Sequence, residues 1–234
     1  MNCTQIVKNE LRSNYKNKII YASKVYKEKF ENLGITEASF YQTLERMFNN
    51  KEINKVSKGV YHFVKENQFG SIPVSEEELI HNYIKNNKGM FVGYSIYQQY
   101  KITTQVPKKI FLYSSNLDGE TKNLKNIQIR RVNISFNEHN VKNIEMLEIL
   151  ENFNKIEEIN LKSFYKYAEN FANTYNERSL KKVLSIIKYK KSTIAFLRDI
   201  LDFFEVENTL SCYISSLSKY KYMKMKEIYE ISNE

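Results

Sequence analysis

The sequence predicts an α+β protein in three parts: three short helices with a small hairpin, a small central α/β unit, and a C-terminal helical bundle. Three observations predict it. Gly and Pro are scarce, 6 and 2 in 234 residues, which argues for helices and short strands joined by compact turns. Apolar residues recur at helical spacing before Met47 and again after Leu161. Between these stretches lie short apolar strand-like runs bounded by turn signals.

Hydrophobic residues make up 42% of the chain and charged residues 27%, as in a folded rather than a disordered protein. No apolar run approaches the roughly 18–20 residues that span a bilayer, so no membrane partner is expected. The N-terminus does not read as a secretory leader. Cys3 and Cys212 are too few for a disulfide framework, and a cytoplasmic location is expected. The net charge is +9, and the first 70 residues carry over half of it, with 12 Lys+Arg against 7 Asp+Glu. Such a surplus is compatible with a nucleic-acid partner. Heavy use of Lys, Asn, Ile and Tyr is also what an AT-rich genome produces.

Val7, Leu11 and Tyr15 form one helical face. Ala22, Val25, Tyr26 and Phe30 form the second, between Tyr21 and Phe30, and Gly34 suits the break after it. Thr36 suits the N-cap of a third helix whose buried stripe is Phe40, Leu44 and Met47. Its other face carries Ser39, Gln42, Thr43 and Arg46. Gln pairs bidentately with adenine, and Arg with guanine or a phosphate. The same pattern also describes a solvated amphipathic face. Ile53–Val56 and Val60–Val64 read as two strands around a Ser57-Lys58-Gly59 turn. Three helices followed by a hairpin is the order of a winged helix-turn-helix, which inserts its third helix in the major groove. The expected DNA contacts are therefore Thr36, Ser39, Gln42, Thr43 and Arg46, with Lys55 and Lys58 of the hairpin near flanking phosphates.

In the middle region, Ser75 and Glu78 form a capping box, which explains the run Glu76-Glu77-Glu78 without a metal. Ile110–Tyr113 and Ile127–Val132 read as strands, Asp118-Gly119 as a turn, and Lys142–Leu150 as a short helix. Arg130 and Arg131 suit either a phosphate or acidic protein surface, or a solvated strand edge. Four apolar stripes follow: Phe164–Phe171, Leu180–Ile187, Ile194–Phe204 and Leu210–Leu217, with Lys188–Lys191 as a connection.

His62, His81 and His139 are the only histidines, and none has metal-ligand spacing with another His or Cys. No phosphate-cradling Gly-rich loop or nucleophile elbow is present. No enzyme activity, metal or other cofactor is expected, and His62 reads as a surface or packing residue of the second strand.

Two motifs resemble the AbiEi-type antitoxin family of type IV toxin–antitoxin systems. Leu44–Tyr61, with Lys51-Glu52-Ile53 and Lys58-Gly59-Val60-Tyr61, is similar to that family's recognition helix, "G-E-I" turn and wing. Asn50 stands where a glycine is common, and asparagine tolerates the left-handed conformation. Ile102-Thr103-Thr104-Gln105-Val106-Pro107 is similar to the family's "G-L-T-t-q-v-P" segment, with Lys101 at the usual glycine. The resemblance spans roughly residues 20–150. It implies an antitoxin and autorepressor that binds double-stranded DNA at its own promoter and neutralises a nucleotidyltransferase-like toxin. Residues 1–70 would be the DNA-binding domain. Residues 71–234 would bind the toxin or form a homodimer.

Overall fold

Asn2 starts the first helix by accepting a hydrogen bond from the Thr4 amide, and α1 (Cys3–Tyr15) turns Val7 and Leu11 inward. The computed structural model describes residues 2–67, 70–215 and 217–233 as a mixed α/β structure of two units. The first unit comprises residues 1–82 with 123–125, and the second the remainder.

In the first unit, β1 (Ile20–Tyr21) leads directly into α2 (Ala22–Lys29). A short 3-10 turn, Glu31–Leu33, ends at Gly34, whose φ of 70° is the left-handed conformation its sequence context predicts. The Thr36 hydroxyl caps α3 (Glu37–Asn49), and β2 (Ile53–Ser57) and β3 (Val60–Phe63) follow as an antiparallel hairpin. β1 adds to the other side of β3, with Ile20 opposite Tyr61, so the order is β1-β3-β2. Two residues are too few to show alternation, which is why sequence patterning misses β1. The core gathers Val7, Leu11, Phe30, Phe40, Leu44, Met47 and Ile53, each fully buried. Phe40 is its aromatic hub, with ring centroids 5.1 Å from Phe30 and 5.6 Å from Tyr26. A two-residue ladder of β4 (Glu66–Asn67) and β5 (Gly70–Ser71) precedes α4 (Glu76–Ile84). The Ser75 hydroxyl accepts from the Glu78 amide at 3.1 Å, one half of the expected capping box.

After α4 come β6 (Gly89–Val92), α5 (Tyr94–Gln99), β7 (Ile110–Ser114), β8 (Thr121–Leu124) and β9 (Ile127–Arg131), with strand order β6-β7-β9-β8. β6 and β7 are antiparallel, while β7 and β9 are parallel, Tyr113 facing Arg130. This corrects the reading of Arg130 and Arg131 as a strand edge. β9 lies between β7 and β8, and the polar Thr121–Leu124 run that supplies β8 shows no strand pattern.

α6 (Glu138–Asn152) is the helix against which much of the second unit packs, with Ile144, Met146, Leu147 and Ile149 fully buried. Around it stand α7 (Leu161–Asn173), α8 (Glu177–Ile186) and α9 (Lys191–Phe203). Asn137, Asn160 and Asn176 cap α6, α7 and α8 by accepting from backbone amides three residues on. Phe153, Phe164 and Phe196 meet edge-on or tilted at the centre. The fourth stripe, Leu210–Leu217, is corrected: among its described residues only a 3-10 turn, Leu210–Tyr213, forms. Leu210 alone is fully buried, and Leu217 is 95% exposed. Asn208 and Ser215 side chains accept from the Leu210 and Leu217 amides, competing with helix formation. The last helix is instead α10 (Met225–Asn233), which packs on α7. Asp199 of α9 holds its first turn, accepting from the Met225 amide and the Lys224 ammonium. Among the described residues, no helix is long and apolar enough to cross a membrane.

Gly89 is fixed by close approach. A Cβ there would lie 2.5 Å from the carbonyl oxygens of both Tyr83 and Tyr113. Gly34 has open space, so there only the positive φ opposes a side chain. Gly89→Ala is therefore expected to cost about 3 kcal/mol, and Gly34→Ala about 1 kcal/mol. Urea unfolding of both variants checks the order.

Candidate nucleic-acid interface

The exposed surface of α3 follows from its cap and its buried stripe. Thr36 spends its hydroxyl on the cap, accepting from the Ser39 amide at 3.3 Å. Phe40, Leu44 and Met47 then face the core, which places Gln42 and Arg46, one turn apart, on the exposed side. Ser39 is half-buried beside them. Thr43 corrects the expected contact set. It is 1% exposed, and its hydroxyl donates to the Ser39 carbonyl at 2.9 Å, so it has neither the access nor the free proton to touch a ligand. Four-residue spacing from Ser39 suggested one shared face, but the buried stripe is wide enough to take in Thr43. Glu45, outside the expected contact set, is an exposed carboxylate between Gln42 and Arg46 in sequence.

The hairpin presents two further cations. Lys55 is exposed on β2 opposite Tyr61, with its ammonium 5.9 Å from that ring's centroid. The register shifts between Lys55 and Ser57, a bulge that precedes the Lys58-Gly59 turn, and Lys58 is exposed at its tip. Among the described residues, Gln42, Arg46 and Lys58 make no side-chain hydrogen bond or ion pair. The surplus of positive charge is thus available at Arg46, Lys55 and Lys58. Lys8 and Arg12 are instead engaged elsewhere.

Both of those cations grip Glu52, each at 2.7 Å, which ties α1 to the turn between α3 and β2. That turn is also fastened through its backbone. The Asn50, Lys51 and Glu52 amides donate to the Arg46, Phe48 and Met47 carbonyls, and the Glu52 carbonyl accepts from Val64. The left-handed residue is Lys51, with φ 59°, and not Asn50, with φ −78°. Burial alone would push the Glu52 carboxyl up, but hydrogen bonds and charges from Lys8 and Arg12 outweigh it and hold the group below its ordinary value of 4.5.

His62 on β3 is 8% exposed, with Nδ1 2.9 Å from the Phe63 carbonyl oxygen. Burial lowers its pKa despite that contact, so the imidazole is neutral at physiological pH and packs inside the unit. The two alternatives for His62 narrow to packing. Among the described residues, no group of three or more His, Cys, Asp or Glu side chains could hold a metal ion.

The first unit thus presents an exposed polar face of α3 and a lysine-bearing hairpin. In sequence the chain belongs to the "Family of unknown function (DUF6088)", whose model matches residues 6–190 and so reaches from α1 to the end of the α8–α9 connection. No curated protein matches it. Among solved structures it is similar to the RV2827C protein from Mycobacterium tuberculosis, with 9% identity and a TM-score of 0.47, over 99% of this chain and 94% of that one.

Because the folded Glu52 pKa is depressed, its contribution to stability is present at neutral pH. It is lost as pH falls from the ordinary value of 4.5 through the lowered folded one. Glu52→Gln is expected to lower stability at pH 7 and to flatten this acid limb. Chemical denaturation of parent and variant between pH 7 and pH 3 measures both effects.

Proposed function

We propose that the chain is a DNA-binding antitoxin and autorepressor of an AbiE-like system, and that its first unit is a winged helix-turn-helix. On this reading α3 is the recognition helix and the β2–β3 hairpin is the wing. Gln42 and Arg46 address bases, Ser39 and the Thr36 end of α3 approach the backbone, and Lys55 and Lys58 neutralise flanking phosphates. The observation that carries the reading is the pairing of Gln42 with Arg46, exposed one turn apart and unengaged, on the helix that precedes a lysine-tipped hairpin. These are the side chains suited to bidentate contacts with adenine and guanine edges.

The resemblance to AbiEi-type antitoxins gains a physical rationale at Lys101. That residue has φ 56°, in the region glycine occupies most easily, and it stands where that family usually has glycine. The motif after it is structural. Ile102 is fully buried, and the Thr103 hydroxyl donates to the Glu157 carbonyl at 2.7 Å. On the same reading α6–α10 form a helical bundle, and the second unit neutralises a nucleotidyltransferase-like toxin or dimerises the chain.

Gel-shift titration on the DNA upstream of its own gene, across a salt series, tests the proposal. Arg46→Ala is expected to weaken specific binding by about 1–3 kcal/mol. Lys58→Ala is expected to weaken all sequences alike and to reduce the salt slope. Thr43→Val, which alters a buried hydroxyl, is expected to leave the shift unchanged. A parent chain that shifts no DNA at low salt overturns the reading, as do Arg46→Ala and Lys58→Ala variants that both bind like the parent. A protein-holding module without DNA contact would then be the better description.

A further inference from the structure

The second unit contains a cavity of about 400 Å³, between the sheet and α6, that the DNA reading does not use. The strand register makes its sheet wall. Val92 pairs with Phe111, Phe111 with Gln128, and Tyr113 with Arg130, so one face of three strands contributes side chains to it. Tyr94 and Tyr97, with ring centroids 5.2 Å apart, supply an aromatic wall from α5. The volume lies within the range of small-ligand sites.

The polar groups of this cavity are few and built in. Glu148 of α6 is 8% exposed, and its Oε1 accepts from the hydroxyls of Tyr113 at 2.8 Å and Tyr189 at 2.9 Å. Its Oε2 accepts no hydrogen bond among the described residues. Arg130 is exposed, sits 5.8 Å from the Tyr113 ring centroid, and makes no salt bridge within 4.0 Å among the described residues. Lys155 adds a second cation to the lining, and Gln128 an amide. Glu148 Oε2 thus keeps acceptor capacity toward the cavity, and the exposed Arg130 guanidinium, engaged among the described residues only with Tyr113, keeps further N–H donors beside it.

Charge selects among ligands. An organic ammonium ion would meet Glu148 but be opposed by Arg130 and Lys155. A simple carboxylate would meet the cations but be opposed by Glu148. A neutral flat ring with an N–H donor next to a carbonyl acceptor satisfies both, giving the N–H to Glu148 Oε2 and the carbonyl to Arg130. Its faces would stack among Tyr94, Tyr97 and Phe111. We infer that the cavity binds a small planar lactam of the nucleobase class, free or as its nucleoside, with Glu148 and Arg130 reading the N–H/carbonyl edge. The inference is independent of DNA binding by the first unit.

Isothermal titration of the full chain with inosine, uridine, 1-methylinosine, benzoate and benzylamine tests it. Inosine or uridine is expected to bind. Methylation of the inosine N–H, Glu148→Gln and Arg130→Ala are each expected to weaken binding at least about tenfold. Circular dichroism checks the folding of both variants. Arg130→Ala alters an exposed side chain, so it and the methylated ligand decide the matter if Glu148→Gln does not fold. Absence of binding by either nucleoside overturns the inference. So does benzoate or benzylamine binding more tightly than both, or unchanged affinity for 1-methylinosine or the Arg130→Ala variant.

Discussion

Carboxylates spaced every three residues along α6 set the terms on which the second unit packs. Glu145 and Glu148 point into the interior, where an unpaired carboxyl is costly. Each is met by tyrosine: Tyr100 donates to Glu145 at 2.7 Å, and Tyr113 and Tyr189 donate to Glu148. Burial nevertheless pushes both carboxyls above the ordinary carboxylate range. Glu151, less buried, closes the series with Lys190 at 2.6 Å and the Thr193 hydroxyl. The partners come from the end of α5, from β7, from the α8–α9 connection and from the first turn of α9. One helix thus fixes four separate segments through directional bonds, where apolar packing alone would allow sliding.

Glu52 does the equivalent work in the first unit, on a smaller scale and nearer solvent. With Lys8 and Arg12 it joins the first helix to the turn from which the hairpin leaves. The angle between α3 and β2 therefore rests on one acidic side chain plus the backbone bonds around Lys51. Two of the most basic-looking residues of the N-terminal segment are consumed in this way. A count of charges along the sequence overstates what the surface offers a polyanion.

Amphipathic stripes were the most legible part of the sequence, because a helix face that must be buried repeats with a fixed period. The Phe40, Leu44 and Met47 stripe, the Phe164–Phe171 stripe and the Thr36 cap all stand where patterning puts them. Strands Ile53–Ser57, Val60–Phe63 and Ile110–Ser114 were legible as well. What escaped depends on partners distant in sequence. β1 exists through pairing with β3, and β8 covers the edge that Arg130 and Arg131 were thought to form. The Leu210–Leu217 stripe had the period but no surface to pack against along its length. Of the candidate site, the exposure of Gln42, Arg46, Lys55 and Lys58 was readable, whereas the burial of Thr43 was not. The Glu148 cavity did leave a trace: two acids inside the apolar run Ile144–Leu150. A solvated helix face would give the same letters.

Lys51 and Lys101 share a feature with Asn86, Asn87, Lys125, Glu158 and Glu205: positive φ without being glycine. For an asparagine the conformation is mild, but for a lysine or glutamate it costs about 1 kcal/mol each. Glycine is scarce across the chain, and five of the corners where the backbone turns left-handed are filled by long charged residues. The molecule thus carries an unused reserve. Its ceiling of stability lies above its present value and can be approached one loop residue at a time, without disturbing either core.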